Sequence, residues 1–399
     1  MKYNFDKEID RRGTNSVKWD AMKAYFGSDD LQALWVADMD FETPDFIIDA
    51  LKKRLDHPVL GYTTVPESYI NSIINWQSRR NGWDIRKEWL AYIPGIVKGI
   101  GMVLEVFTEP GDKVIVQPPI YHPFHLLPTR NGREVVWNPL IERDGGYDMD
   151  FEHLESVIEG CKVLILSNPH NPAGLVWDKE TLTRLASICH KHGALVISDE
   201  IHSDMPLFGH KHLPFASVSQ EAAECSITFA APSKTFNIAG VVSSYAVVPD
   251  DKLREKFFGW LHANEFASPH MFAPIATEAA FTHGEEWLEQ MLAYLEENVF
   301  FVESFLAEKL PCVKPLRPQA SFLVWLDCRE LCCRLVGEGA SDEQKRAALN
   351  DLFIKKAGLA LNDGVGFGPG GSCFLRLNIG TTRARLATAL ESLVAAVEA

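Results

Sequence analysis

Between residues 85 and 250, short apolar runs alternate with helix-length segments, and this alternation constrains the fold more than any other feature of the chain. The run Val163-Leu164-Ile165-Leu166 is apolar at every position, the pattern of a strand buried on both faces. The spacing predicts strands over Trp89–Ile93, Lys113–Gln117, Glu134–Asn138, Lys162–Leu166, Ala194–Ser198, Ser226–Ala230 and Ser243–Val248. Helices are predicted between them over Gly95–Thr108, Asp150–Glu159 and Lys179–His192. Strands separated by helices point to an α/β fold with a mostly parallel seven-stranded sheet.

The pattern changes after residue 250. Trp287, Leu288, Met291, Leu292, Leu295, Val299, Val302 and Leu306 recur at three and four, one apolar stripe along a helix. About 27 residues at 1.5 Å each make a rod of roughly 40 Å, long enough to bridge two domains. Further strands are expected over Ser321–Asp327 and Cys373–Ile379, with helices over Asp342–Lys356 and Arg383–Glu398. The expected division is a large domain over 46–285 and a smaller α+β domain over 286–399. Residues 1–45 show no core of their own and read as an arm belonging to the smaller domain. The 399-residue length suits two domains.

Charge narrows the function classes. Lys and Arg number 39 against 54 Asp and Glu, a net charge of −15. Such a surface repels phosphate backbones and anionic lipid, which disfavours nucleic-acid and membrane partners. No apolar run approaches the roughly 18 residues of a membrane span, and Met1–Glu8 lacks the apolar core of a signal peptide. The eight cysteines match no zinc-binding spacing, and the histidines His202, His210 and His212 lack a ligand framework. A soluble, cytoplasmic protein with reduced thiols and no metal is expected.

Ligands of open parallel sheets bind beyond the carboxyl ends of the strands. Three strand ends carry polar motifs. Ser167-Asn168-Pro169-His170-Asn171-Pro172-Ala173-Gly174 follows the fourth strand, Asp199-Glu200-Ile201-His202 the fifth, and Ala231-Pro232-Ser233-Lys234 the sixth. Singly, each also reads as a turn, a cap or solvated surface. Their joint order is specific. It resembles the fold-type-I pyridoxal-phosphate enzymes of the aminotransferase superfamily.

That resemblance implies a role for each residue. Lys234 would hold the aldehyde of pyridoxal 5′-phosphate covalently, and Asp199 would keep the ring nitrogen protonated. Asn171 would donate to the ring oxygen, and His202 stands where most aminotransferases have Tyr. Tyr121, in Gln117-Pro118-Pro119-Ile120-Tyr121, resembles the aromatic that stacks on the ring. In Ile93-Pro94-Gly95-Ile96-Val97-Lys98-Gly99, the Ile96 and Val97 backbone groups would face the phosphate beside the Ser233 hydroxyl. Arg376, in Phe374-Leu375-Arg376-Leu377-Asn378, would bind the substrate α-carboxylate with Asn171. Gly61-Tyr62-Thr63 resembles a loop whose tyrosine reaches the phosphate of a neighbouring subunit, which implies a homodimer.

Two positions depart from the common aminotransferase pattern: Val242 replaces a phosphate-clamping Arg, and Ala231 replaces Ser or Thr. Val242, His202 and the segments Asp10–Asp20, Trp35–Phe41 and Ser233–Gly240 resemble the MalY/PatB type of cystathionine β-lyase. The resemblance covers nearly the whole chain and implies a carbon–sulfur lyase acting on a sulfur-containing amino acid. Two other readings stay open here: an aminotransferase, which needs the same residues, and a regulatory binding partner on the same fold. Trp35, Asp38 and Tyr62 are candidate pocket liners, and an aromatic such as Trp35 equally reads as buried packing.

Overall fold

The computed structural model describes residues 2–399. Its main sheet is built from β1 (Leu90–Ile93), β2 (Lys113–Val116), β3 (Glu134–Trp137), β4 (Cys161–Ser167), β5 (Leu195–Asp199), β6 (Ser226–Ala230) and β7 (Ser244–Val247). The spatial order is β1-β7-β6-β5-β4-β2-β3. Strand β7 runs antiparallel to both its neighbours, and the other pairings are parallel.

Alternation along β4 explains its apolar run. Val163 and Ile165 share a core cluster with Ile100, Val103 and Leu104 of helix α1 (Ile96–Phe107). Leu164 and Leu166 face the other way, into a cluster with Leu182, Leu185 and Ala186 of helix α2 (Lys179–His192). Each fully buried side chain of this kind contributes about 1.5–3 kcal/mol, so both faces favour one register. Helix α1 lies so close to the sheet that a Cβ at Gly99 would meet Ile93 Cγ2 at 2.7 Å.

Register then brings the three polar motifs together. Ser167 of β4 pairs with Asp199 of β5, and Asp199 pairs with Phe229 of β6. The segments leaving these adjacent strands therefore emerge side by side at one edge of the sheet.

The 25-residue helix α3 (Glu285–Lys309) buries all eight residues of the apolar stripe. It packs in one cluster with the second sheet, whose strands are β8 (Lys314–Leu316), β9 (Leu323–Asp327), β10 (Asn362–Asp363) and β11 (Phe374–Asn378). That sheet is wholly antiparallel, in the order β8-β9-β11-β10. The N-terminal segment joins the C-terminal part through parallel pairing of Gln32–Ala33 with Leu359–Ala360. Contrary to the expectation of no core, Met22, Ala33 and Trp35 are buried together; the cluster closes only with Ala360, from the far end of the chain. Among the described residues, no helix is long and apolar enough to cross a membrane.

Candidate active site

A cavity of about 370 Å³ opens at the carboxyl ends of β4, β5 and β6. Ile96, Val97, Tyr121, Asn171, Asp199, His202, Ser233 and Lys234 all line it. Each is held there by identifiable local structure.

Asn171 sits on the turn after β4. Its backbone N–H donates to Ser167 Oγ (3.1 Å), and its carbonyl accepts from the Tyr121 N–H (3.1 Å). The turn closes at Gly174, whose φ is +68°, and a Cβ there would lie 2.6 Å from Pro318 Cβ. The Gly174 carbonyl accepts from the N–H groups of Gln319 and Ala320, tying the turn to the segment before β9.

Asp199 ends β5 with its carboxylate buried. One oxygen accepts from the Ile201 N–H at 3.0 Å. Burial pushes its pKa up to about 7, against the opposing pull of that N–H and of Lys234. His202 is buried with Nδ1 unpartnered, and burial, then Lys234 and Arg376, push its pKa down to about 3. The imidazole is therefore neutral at pH 7. The neighbouring Glu200 turns away and accepts from Ser198 Oγ (2.8 Å) and the Phe215 N–H (2.8 Å), with His212 Nε2 at 2.9 Å.

Lys234 lies on the single helical turn Pro232–Thr235 after β6. The turn is anchored by Thr235, whose hydroxyl donates to buried Asp204 (3.0 Å), which also accepts from Trp76 Nε1 (2.8 Å). Lys234 Nζ donates to the Ala37 carbonyl at 2.5 Å. Burial lowers its pKa to about 8; Asp38 and Asp199 raise it and Arg376 lowers it further. A lysine so placed is neutral in about a tenth of molecules at pH 7, far more than an ordinary lysine, and the neutral form is the one nucleophilic and proton-accepting chemistry needs.

The phenol of Tyr121 packs edge-on to Phe124 with ring centroids 5.8 Å apart, and burial raises its pKa. Gly95, at φ +105°, opens helix α1, leaving the first N–H groups of Ile96 and Val97 directed out of the helix. Val242 also lines the cavity, at φ +55°, an unusual conformation for a β-branched residue.

Arg376, on β11, is buried. Its guanidinium donates to Asn171 Oδ1 (3.0 Å), Asn362 Oδ1 (2.6 Å) and the Trp35 carbonyl (3.1 Å), while Nε has no partner. Burial lowers its pKa to about 10. Arg376 thus reaches the cavity through Asn171.

Three other candidates lie elsewhere. The Trp35 ring packs against Phe26 and donates from Nε1 to the Lys18 carbonyl, so it is buried packing. The Asp38 carboxylate is held by Arg11 at 2.9 and 2.6 Å and lines an adjacent cleft. Tyr62 is fully exposed and does not line the cavity. Conversely, the Ala37 carbonyl, Phe124 and Lys98 line the cavity without having been singled out. The only sequence signal among them was Lys98, the one charge in the first half of an otherwise apolar helix.

The arrangement is suited to a planar group with a protonated ring nitrogen at one end and an anion at the other. Buried Asp199, which has no cation within bonding distance, fits the first, and the α1 N-terminus fits the second.

Comparison with known proteins agrees. The family model for aminotransferase class I and II matches residues 30–393. Cystathionine beta-lyase PatB of Bacillus subtilis is 45% identical over 396 residues, covering 99% of this chain and 100% of its own. Protein MalY of Escherichia coli is 30% identical over 401 residues, covering 100% of this chain and 99% of its own. The solved structure of cystalysin from Treponema denticola, which contains a pyridoxal 5′-phosphate cofactor, has a TM-score of 0.93 at 33% identity, with 100% and 99% coverage. The pyridoxal-phosphate-bound C–S lyase from Staphylococcus hominis has a TM-score of 0.90 at 32% identity, with 100% and 98% coverage.

Proposed function

The chain belongs to the aminotransferase class I and II family, and from that premise we propose that it is a pyridoxal 5′-phosphate-dependent carbon–sulfur lyase. It cleaves the Cβ–S bond of cystathionine or a related cysteine S-conjugate to a thiol, pyruvate and ammonia. The observation carrying this reading is one cavity that combines a lysine of lowered pKa, a buried carboxylate and a helix N-terminus, in a chain 45% identical to a cystathionine β-lyase.

When bound, pyridoxal phosphate supplies an electron sink for the pair left on Cα after deprotonation. Lys234 would hold the cofactor aldehyde, and its Nζ, once free, would take the Cα proton. The electron pair of the Cβ–S bond leaves with sulfur as a thiolate. The released enamine hydrolyses in water to pyruvate and ammonia. Asp199 would keep the ring nitrogen protonated. The Asn171 amide would donate to the ring oxygen: with its Oδ1 held by Arg376, its NH₂ group is free to do so. Arg376 and Asn171 fix the substrate α-carboxylate. Tyr121 would pack against the ring, His202 would supply a neutral imidazole, and Ile96, Val97 and Ser233 would supply phosphate donors. The same reading divides the chain into an arm (1–45), a cofactor-binding domain (46–285) and a small domain (286–399), and places it in the cytoplasm. Product analysis with cystathionine as sole substrate tests the assignment.

A homodimer belongs to this reading, with Tyr62 donated to the partner's phosphate site. Its support is the exposure of Tyr62 together with Val59, Leu60 and Val65, an apolar loop tip left bare in the single chain. One hydrogen bond to a charged oxygen is worth about 1.5–3 kcal/mol, so Tyr62→Phe should weaken cofactor retention by roughly 10- to 100-fold. Mixing the inactive variants Tyr62→Ala and Lys234→Ala gives a sharper readout. Each heterodimer has one site with both lesions and one with neither, so subunit exchange restores part of the activity. No recovery, with exchange confirmed by mass, would remove Tyr62 from the partner's site.

A further inference from the structure

We propose that the Lys98 ammonium is the counter-charge for the cofactor phosphate, replacing the arginine whose place Val242 takes. The proposal rests on the reading of the cavity as a pyridoxal-phosphate site. A phosphate monoester near neutral pH carries about −1.5 to −2 charges. A helix N-terminus offers only about half a positive charge, and the Ser233 hydroxyl is neutral. Among the residues lining the cavity, the only lysine or arginine side chains are Lys98 and Lys234, and Lys234 is committed to the aldehyde.

The local setting of Lys98 points the same way. It is the third residue of α1, in the turn where the helix dipole disfavours a cation unless an anion stands in front of it. No acid on the helix compensates it. Residues Pro94, Gly101 and Met102, one turn away on either side, are uncharged, and the one acid of α1, Glu105, pairs with Arg133 at 3.6 Å. Lys98 is exposed and has no hydrogen-bond or ion-pair partner among the described residues. Val242 lines the same cavity at the start of this helix: its Cγ1 would lie 3.9 Å from a Cβ at Gly95, the residue that opens it. A lysine that its own helix does not favour, on the rim of an anion site lacking its arginine, is accounted for by the anion.

The experiment titrates the full-length wild type, Lys98→Met and Lys98→Arg with pyridoxal 5′-phosphate and, separately, with pyridoxal. Bound cofactor is read by absorbance at two salt concentrations. Lys98→Met should weaken the phosphorylated form by about 10- to 100-fold and pyridoxal by less than about twofold. Lys98→Arg should restore most of the loss, and the wild type should lose affinity with salt more steeply than Lys98→Met. Equal weakening of both ligands, or none, would overturn the role of Lys98 while leaving the cofactor site standing. A wild type that binds neither ligand would instead overturn the reading on which the proposal rests.

Discussion

Lys234→Ala is expected to give a folded, colourless protein whose turnover falls by about 10³-fold or more. Two functions are lost at once: the covalent hold on the cofactor and the base that takes the Cα proton. Positioned proton transfer alone is worth about 10²- to 10⁴-fold. The fold should survive, because the turn carrying Lys234 is anchored by Thr235, Asp204 and Trp76, and Lys234 itself contributes one bond to Ala37. Circular dichroism separates loss of function from loss of fold. A variant that kept its colour and turned over at a tenth of the wild-type rate would show that another group does the work.

Asp199→Ala should behave differently, keeping a coloured cofactor while turnover drops by about 10²- to 10³-fold. The carboxylate is buried without a close cation, and this pushes its pKa up to about 7, so it is only about half ionised at neutral pH in the cofactor-free chain. A protonated ring nitrogen beside it would supply that cation and pull its pKa back down. Without Asp199 the ring nitrogen loses its proton and the ring withdraws electrons poorly, while Lys234 and the phosphate contacts still retain the cofactor. Near-wild-type turnover would mean that Asp199 does not face the ring nitrogen.

The contrast between these variants follows from features of unequal legibility. The central strands are readable because burial on both faces favours short, mainly apolar or β-branched runs between turn signals, and Ser226–Ala230 has the expected bounds. Helix α3 is readable because one stripe, from Trp287 to Leu306, stays apolar over more than five turns. The meeting of Asn171, Asp199 and Lys234 at one cavity follows from strand-end motifs on neighbouring strands. Features set by distant contacts are less readable. The Trp35 ring and the Asp38 carboxylate are turned from the cavity by Lys18 and Arg11, while the backbone between them contributes the Ala37 carbonyl to Lys234. A backbone acceptor has no residue-type signature. The burial of Arg376 depends on Asn171, Asn362 and Trp35 converging from three parts of the chain. Lys98 breaks an apolar pattern, but only the folded chain puts it and Val242 on the wall of one cavity.

The most direct measurement of the central claim supplies the purified holoenzyme with cystathionine and no keto acid, and follows thiol, pyruvate and ammonia together. A carbon–sulfur lyase releases the three in equal amounts over many turnovers, with no dependence on added keto acid. An aminotransferase stops after one turnover unless a keto acid is present, and then produces a new amino acid without free thiol. Equimolar thiol and pyruvate from cystathionine alone is the predicted result. Turnover that requires a keto acid and leaves the Cβ–S bond intact would contradict it.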